Sequence, residues 1–300
     1  MLGGDKMPRH FLTDDDLSAE EIERLFKLAA ELKARPVQPL LPSKNLAMIF
    51  AKPSTRTRVS FEVGITQLGG SAIYLGVNDI QLKRGETIAD TARTLSRYVD
   101  GIMARLFDHA DIVELAKHSS VPVINGLTNS FHPCQALADY MTIKEKKGKL
   151  EGLKLVFLGD GANNVATSLI RMGAKLGVQV VIAAPKEFWP KKEVLSGTKT
   201  KVTDKPKEAV RGADVIYTDV WVSMGDEAEA ARRKEILKPF QVNSSLMKLA
   251  KKDAIFMHCL PAHRGEEVTS DVIDGPQSAV WDEAENRLHT QKALMVMLMK

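Results

Sequence analysis

The stretch Lys52-Pro53-Ser54-Thr55-Arg56-Thr57-Arg58 constrains this chain more than any other. It follows an apolar run, Leu46-Ala47-Met48-Ile49-Phe50, of the kind that forms a buried strand. It precedes Val59-Ser60-Phe61-Glu62-Val63-Gly64-Ile65, which reads as a helix. A strand therefore delivers hydroxyls and guanidinium groups to a helix N-terminus. The first turn of a helix has unpaired N–H groups and the positive end of the dipole, so it accepts an anion. Ser54 or Thr55 can cap that turn. Arg56 presents a planar fork to an oxyanion, and Thr57 adds a hydroxyl. A capped helix with solvated arginines is the plainer reading. Phosphate binding accounts better for three hydroxyls and two arginines between Ser54 and Arg58.

The remaining pattern alternates strands with helices. Residues 14–34 carry three aspartates and then Ile22, Leu25, Phe26, Ala29 and Leu32 at helical spacing. Residues 72–75 and 101–104 read as strands, the second ending at Arg105, and His109 to His118 as a helix. Residues 121–124 read as a strand and 125–130 as a loop. His132-Pro133-Cys134-Gln135 opens a helix, with Pro133 suited to its first position. The charged break around Gly148 suggests a boundary. The second half restarts with strands near 153–158, 178–183, 213–218 and 254–257, and a helix closes the chain from about Glu283. This predicts an α/β fold with two domains, each a central parallel sheet flanked by helices. Residues 1–147 form the first, 148–282 the second, and 283–300 a helix packing back on the first. The polar clusters at 54–58, 105, 132–135, 159–164, 219–224 and 258–261 each follow a strand. Ligands of open α/β sheets bind at strand carboxyl ends, so one active site in the cleft between domains is expected.

Composition narrows the function classes. The 300 residues carry a net charge of only +4, without a basic stripe interleaved with aromatics, which argues against a nucleic-acid surface. The apolar runs fall short of the roughly 20 residues of a membrane helix. The first ten residues lack the apolar core of a signal peptide, and Cys134 and Cys259 make no disulfide framework. A cytoplasmic address is the expectation.

Three motifs need weighing. Gly159-Asp160-Gly161-Ala162-Asn163-Asn164 looks like a dinucleotide fingerprint, but Asn164 replaces its third glycine, and no acid ends the next strand at Ala183-Ala184-Pro185. A tight turn presenting amides to a polar ligand fits better, with a plain Asn-capped turn as the alternative. His132, Cys134, His258 and Cys259 lack zinc-ligand spacings. Cys259 read alone is structural or, in a Cys/His hydrolase, nucleophilic. Ser223-Met224-Gly225, just after Asp219, suggests a substrate loop.

Together these segments closely resemble the ornithine-using branch of the aspartate/ornithine carbamoyltransferase family. The matching stretches are S-T-R-T-R at 54–58, H-P-C-Q at 132–135, D-G-A-N-N at 160–164, D-V-W-V-S-M-G at 219–225, H-C-L-P at 258–261 and D-E-A-E-N-R at 282–287. The resemblance implies transfer of a carbamoyl group from carbamoyl phosphate to the δ-amine of L-ornithine, without metal or redox cofactor. It implies a homotrimer with sites shared between subunits. By the same resemblance Ser54, Thr55, Arg56 and Thr57 hold the phosphate, and Gln81 reaches a neighbouring subunit's phosphate. Arg105 and His132 polarise the carbamoyl oxygen. Gln135 and the Cys259-Leu260 backbone hold the carbamoyl amide, Pro133 and Cys134 complete that segment, and Arg287 adds positive charge. Asn164, Asp219, Ser223 and Met224 bind ornithine, with Cys259 beside the amine. Carbamoyltransferases for aspartate, an acetylated ornithine or putrescine, and a non-catalytic phosphate binder, remain alternatives.

Overall fold

The computed structural model describes residues 8–222 and 227–300. The chain divides into two compact units, one running to Leu137 and taking in Arg287–Lys300, the other Ala138–Asn286. Each is built on an all-parallel sheet with helices, as the alternating pattern predicts. Among the described residues no helix is long and apolar enough to cross a membrane.

In the first unit the strands are β1 (Asn45–Phe50), β2 (Ser71–Gly76), β3 (Gly101–Arg105) and β4 (Val123–Leu127), in the order β2-β1-β3-β4. Five of the six residues of β1 and all of β3 and β4 are buried, which explains their continuous apolar runs. Ala47, Ile49, Ile102 and Ala104 share one core with Ala92 of α3 (Ile88–Leu95) and with Ile112 and Leu115 of α4 (His109–His118). Strand β2 lies at the sheet edge.

Two boundaries differ from expectation for identifiable reasons. Helix α1 is Ala19–Ala34 rather than 14–34. Ser18 forms a capping box with Glu21, and Asp16 instead accepts the backbone N–H groups of Leu12 and Thr13. Strand β4 extends through Asn125-Gly126, which reads as loop. Asn125 is fully buried because its amide donates to the Leu12 carbonyl at 2.7 Å. Gly126 leaves room for Met103, whose sulfur would lie 2.6 Å from an added Cβ and would have to shift.

In the second unit the strands are β5 (Lys154–Leu158), β6 (Gln179–Ala183), β7 (Lys201–Thr203), β8 (Val215–Thr218) and β9 (Ile255–Met257), in the order β7-β6-β5-β8-β9. Val156, Ile216 and Phe256 pack with Phe240, Val242 and Ile273 in its core. The short, polar β7 is missed by apolar pattern. The division between units falls within α5 (Pro133–Lys147) and within the final helix, Val280–Met299, which starts three residues before the expected Glu283.

Each sheet has one point where successive connections leave in opposite directions. In the first this lies between β1 and β3, where Phe50 pairs with Arg105. In the second it lies between β5 and β8, where Leu158 pairs with Thr218. A crevice opens beyond the carboxyl ends of strands at such a point. Four of the six polar clusters stand at these strand ends, while 132–135 follows β4 and 258–261 follows β9.

Candidate active site

The first cluster sits at the β1/β3 switch point. Helix α2 (Thr55–Gln67) starts directly after β1, and Ser54 is its N-cap, its hydroxyl accepting from the Thr57 N–H at 3.2 Å. The sequence left this role open between Ser54 and Thr55. Arg56 lies in the first turn, half-buried, and Thr55 is exposed. Arg58 turns elsewhere: it pairs with Glu62 and lies over the Tyr74 ring, 3.9 Å from its centroid. Arg105 ends β3 and is nearly buried, next to a register shift in the pairing with β4. Across the shift the partner moves from Asn125 at Ala104 to Leu127 at Arg105, and such irregularities re-aim side chains at strand ends.

His132 is buried just ahead of α5. Its carbonyl accepts the Gln135 and Ala136 N–H groups, which fixes the turn. Its pKa is driven well below the ordinary imidazole value, first by burial and then by the charges of Arg287, Arg105 and Arg56. His132 is therefore a neutral imidazole at pH 7, surrounded by three guanidinium groups. A neutral ring can donate one N–H while adding no charge.

Arg287, at the start of the first unit's C-terminal segment, is almost fully buried. It donates to Gln135 Oε1 at 2.6 Å, to Thr57 Oγ1 at 3.1 Å and to Gln291 Oε1 at 2.9 Å. Gln291 in turn donates to the Ser60 hydroxyl. Arg287 thus ties the phosphate-type loop to the H-P-C-Q turn. The family resemblance implies a ligand role for it; here its guanidinium is a hub that aims Thr57 and Gln135.

Not every predicted residue joins this cluster. Pro133 occupies the first position of α5, as expected. Cys134 is fully buried, donates to the Asn125 carbonyl at 3.3 Å, and its pKa is pushed up to about 12 by burial. Its thiol supports β4. Gln81 is exposed on a 3-10 turn, Gln81–Arg84, between β2 and α3.

The second cluster sits at the β5/β8 switch point and the end of β9. Gly159 has φ +125, and Gly161 has no room for a side chain, since a Cβ would meet Ile182 at 2.4 Å. These glycines permit the tight turn into α6 (Asn164–Lys175). Asn163 is the N-cap, its Oδ1 accepting from Ala166 N–H at 2.7 Å. Its Nδ2 donates to Asp219 Oδ2 at 3.1 Å. Asn164, the predicted ligand, is partly exposed one residue further on.

Asp219 follows β8. Its Oδ1 accepts from the Val220 N–H and from the Cys259 thiol, the latter at 3.1 Å. Burial, then the negative charge of Asp219, drive the Cys259 pKa well above the ordinary thiol value. Cys259 is consequently a protonated donor and a poor nucleophile, which argues against the Cys hydrolase alternative. Leu260 adopts φ +59, a left-handed conformation costly for a branched side chain. Its N–H donates to His258 Nδ1 at 2.8 Å, so the ring proton is on Nε2, which faces Glu267 at 3.1 Å. Asp219, His258 and Cys259 bring ligand-type atoms within 4.8 Å of one another, but both His258 ring nitrogens already serve protein partners. Ser223 and Met224 lie outside the described residues.

Two residues of this cluster escaped sequence reading. One is Asn163, whose capping position was the only signal. The other is Arg233 from the helix Ala230–Leu237. It is buried, pairs with Asp160, donates to the Trp221 carbonyl at 2.7 Å and lies 4.7 Å over the Phe188 ring. It anchors both the glycine turn and the segment after β8.

Comparison with known proteins agrees with this arrangement. The carbamoyl-P binding domain of aspartate/ornithine carbamoyltransferase matches residues 9–145, and the family's Asp/Orn binding domain matches residues 151–298. The chain is 59% identical to the ornithine carbamoyltransferase of Thermococcus kodakarensis over 97% of this chain and 96% of that protein. It is 58% identical to the anabolic ornithine carbamoyltransferase of Pyrococcus furiosus, with the same coverage. A solved structure of ornithine carbamoyltransferase from P. furiosus superposes with a TM-score of 0.93, at 57% identity and 97% coverage of both chains. Two family domains in order, matching across nearly all of the sequence and fold, establish that the chain belongs to the aspartate/ornithine carbamoyltransferase family.

Proposed function

We propose that this chain transfers the carbamoyl group of carbamoyl phosphate to the δ-amine of L-ornithine, giving L-citrulline and phosphate in arginine biosynthesis. The observation that carries the reading is the first cluster. A capped helix N-terminus, Arg56, Arg105 and a neutral His132 converge at one strand switch point. Such a site suits a dianionic phosphate joined to a polarisable carbonyl. The names of the relatives supply the second substrate.

In this reading the phosphate rests on the first turn of α2, held by Ser54, Thr55, Arg56 and Thr57. Arg105 and His132 donate to the carbamoyl oxygen, where negative charge develops. Gln135 and the backbone at Cys259-Leu260 hold the carbamoyl amide, and Arg287 works chiefly by aiming Thr57 and Gln135. Asn164, Asp219, Ser223 and Met224 hold ornithine, and Cys259 faces its amine. The amine nitrogen attacks the carbonyl carbon. A tetrahedral oxyanion forms, the C–O bond to phosphate breaks, phosphate leaves with the electron pair, and the amine loses a proton. No metal or redox cofactor is needed, because phosphate is already a good leaving group. Phosphate release measured against a panel of amines tests the assignment: ornithine must be strongly preferred, and a preference for aspartate or an acetylated ornithine would overturn it.

Cys259→Ser is expected to raise the KM for ornithine by about tenfold, the worth of one misplaced hydrogen bond near the amine. Carbamoyl phosphate affinity should change little, because the backbone at 259–260 survives. Equal losses for both substrates would make Cys259 merely structural.

We further propose a homotrimer in which Gln81 completes a neighbour's phosphate site. Support comes from the edge strand β2, which exposes Ile73 and Tyr74, and from Val59 and Val63, exposed one turn apart on α2. Unpaired edges and apolar surface of this kind call for a cover. Mixing inactive Gln81→Ala chains with inactive Arg56→Gly chains should restore activity, since some hybrid sites then carry neither lesion. Reassembled hybrids that stay inactive would refute the shared site. Two free thiols suit a reducing compartment, and the address we propose is cytoplasmic.

A further inference from the structure

Behind the second cluster lies a buried carboxyl group that the proposed chemistry does not use. Glu283 is 1% exposed. Its Oε1 accepts from the Tyr217 hydroxyl at 3.0 Å, and its Oε2 accepts from the His258 backbone N–H, also at 3.0 Å. Tyr217 belongs to β8 and stands two residues before Asp219. His258 follows β9 and stands immediately before Cys259. The two strands are neighbours, with Tyr217 paired to Met257. One side chain from the final helix therefore grips both strand ends that carry the Asp219–Cys259 pair.

We infer that Glu283 is a positioning residue for the ornithine side of the reaction: it fixes the ends of β8 and β9 against each other and so holds the Cys259 thiol on Asp219.

The surroundings favour a fixed part. Tyr217 is fully buried and stacks on Phe157 with ring centroids 5.9 Å apart, so its hydroxyl has one direction in which to point. Glu283 also hydrogen-bonds Asp139 of α5, which is itself fully buried. Burial and the Asp139 charge push the Glu283 pKa well above the carboxylate range. Two adjacent buried carboxyls share a proton more readily than they carry two charges. Glu283 in its protonated form is neutral, and glutamine is then a close mimic. Its carbonyl can accept the His258 N–H and its amide can donate to the Tyr217 oxygen. The left-handed Leu260 backbone needs such an anchor, because nothing in its own φ preference holds the turn.

The inference rests on ornithine being the second substrate, and its test has one readout that does not. Glu283→Ala, Glu283→Gln and Tyr217→Phe are compared with wild type. Glu283→Ala and Tyr217→Phe should raise the KM for ornithine by about tenfold and leave carbamoyl phosphate affinity, measured by calorimetry, within about twofold. Glu283→Gln should restore the ornithine KM to within about threefold of wild type. In the absence of substrates, iodoacetamide should alkylate Cys259 at least fivefold faster in Glu283→Ala and Tyr217→Phe, as the thiol leaves Asp219. Cys134, fully buried, supplies the unreactive internal reference. If Glu283→Ala does not fold, Tyr217→Phe carries the test alone. An unchanged alkylation rate would overturn the inference, as would parallel losses for both substrates that Glu283→Gln does not rescue. If the wild-type enzyme ignored ornithine while alkylation still accelerated as stated, the substrate assignment would fail and the strand-end staple would stand.

Discussion

Arg56→Gly is expected to lose nearly all activity while the protein stays folded. Arg56 lies in the first turn of α2, half-buried, beside a helix N-terminus already capped by Ser54. Its side chain fills no core. Its backbone carbonyl accepts from the Ser60 hydroxyl at 2.6 Å, a bond the substitution keeps. Glycine in a helix costs about 1 kcal/mol, which a protein of this size survives. A charge-assisted contact to phosphate contributes roughly 1.5–3 kcal/mol to binding. Loss of the same charge as the leaving group departs adds to this in the transition state, so kcat/KM should fall by more than about 100-fold. Arg105 and Arg287 still surround His132 in the variant, but neither lies on the α2 turn. Circular dichroism and thermal melting check the fold, and steady-state turnover checks the loss. Near wild-type turnover would refute the phosphate-loop assignment.

The second large effect concerns discrimination between amines. Ornithine should be preferred over putrescine by as much as about 10⁴-fold in kcat/KM. The two share both amines and differ at the α-carbon, where only ornithine carries a carboxylate. Asn164 stands at the first turn of α6, where backbone N–H groups and the dipole favour the carboxylate. Asp219, held between Asn163, the Val220 N–H and the Cys259 thiol, is fixed in place before any amine arrives. Asn164 and the N–H groups of that turn stay unpaired when the analogue lacks the carboxylate, which is the origin of so large a ratio. Asn164→Ala should raise the ornithine KM and narrow the gap to putrescine. Comparable use of both amines by wild type would favour a polyamine carbamoyltransferase.

The fold class and most candidate site residues were legible in the sequence because parallel strands buried on both faces are continuous apolar runs, and their polar ends stand out. Ser54 to Thr57, Arg105 and His132 stand at or just beyond such ends. Where the pattern misled, a polar residue was satisfied out of sight. Asn125 reads as loop because its partner, the Leu12 carbonyl, is more than a hundred residues away in sequence. Lys292 interrupts the apolar stripe of the final helix, yet it is fully buried, donating to the Leu32 and Pro36 carbonyls and to Gln67. Arg233 and Glu283 were missed for the same cause. Each acts on a backbone group far along the chain, and no local spacing signals that. Arg287 was named through the family resemblance, and only its three partners reveal it as a hub between Thr57 and Gln135.

Carbamoyl transfer to ornithine can be followed atom by atom with an isotopic label. Carbamoyl phosphate carrying ¹³C in the carbamoyl group is mixed with L-ornithine and the wild-type enzyme, and the label is followed by NMR while phosphate is assayed in parallel. The label is expected to move to the ureido carbon of citrulline, one equivalent for each phosphate released, and neither product should form faster than background without ornithine. Binding of carbamoyl phosphate with no ornithine-dependent transfer, or enzyme-dependent phosphate release that leaves ornithine unlabelled, would contradict the assignment.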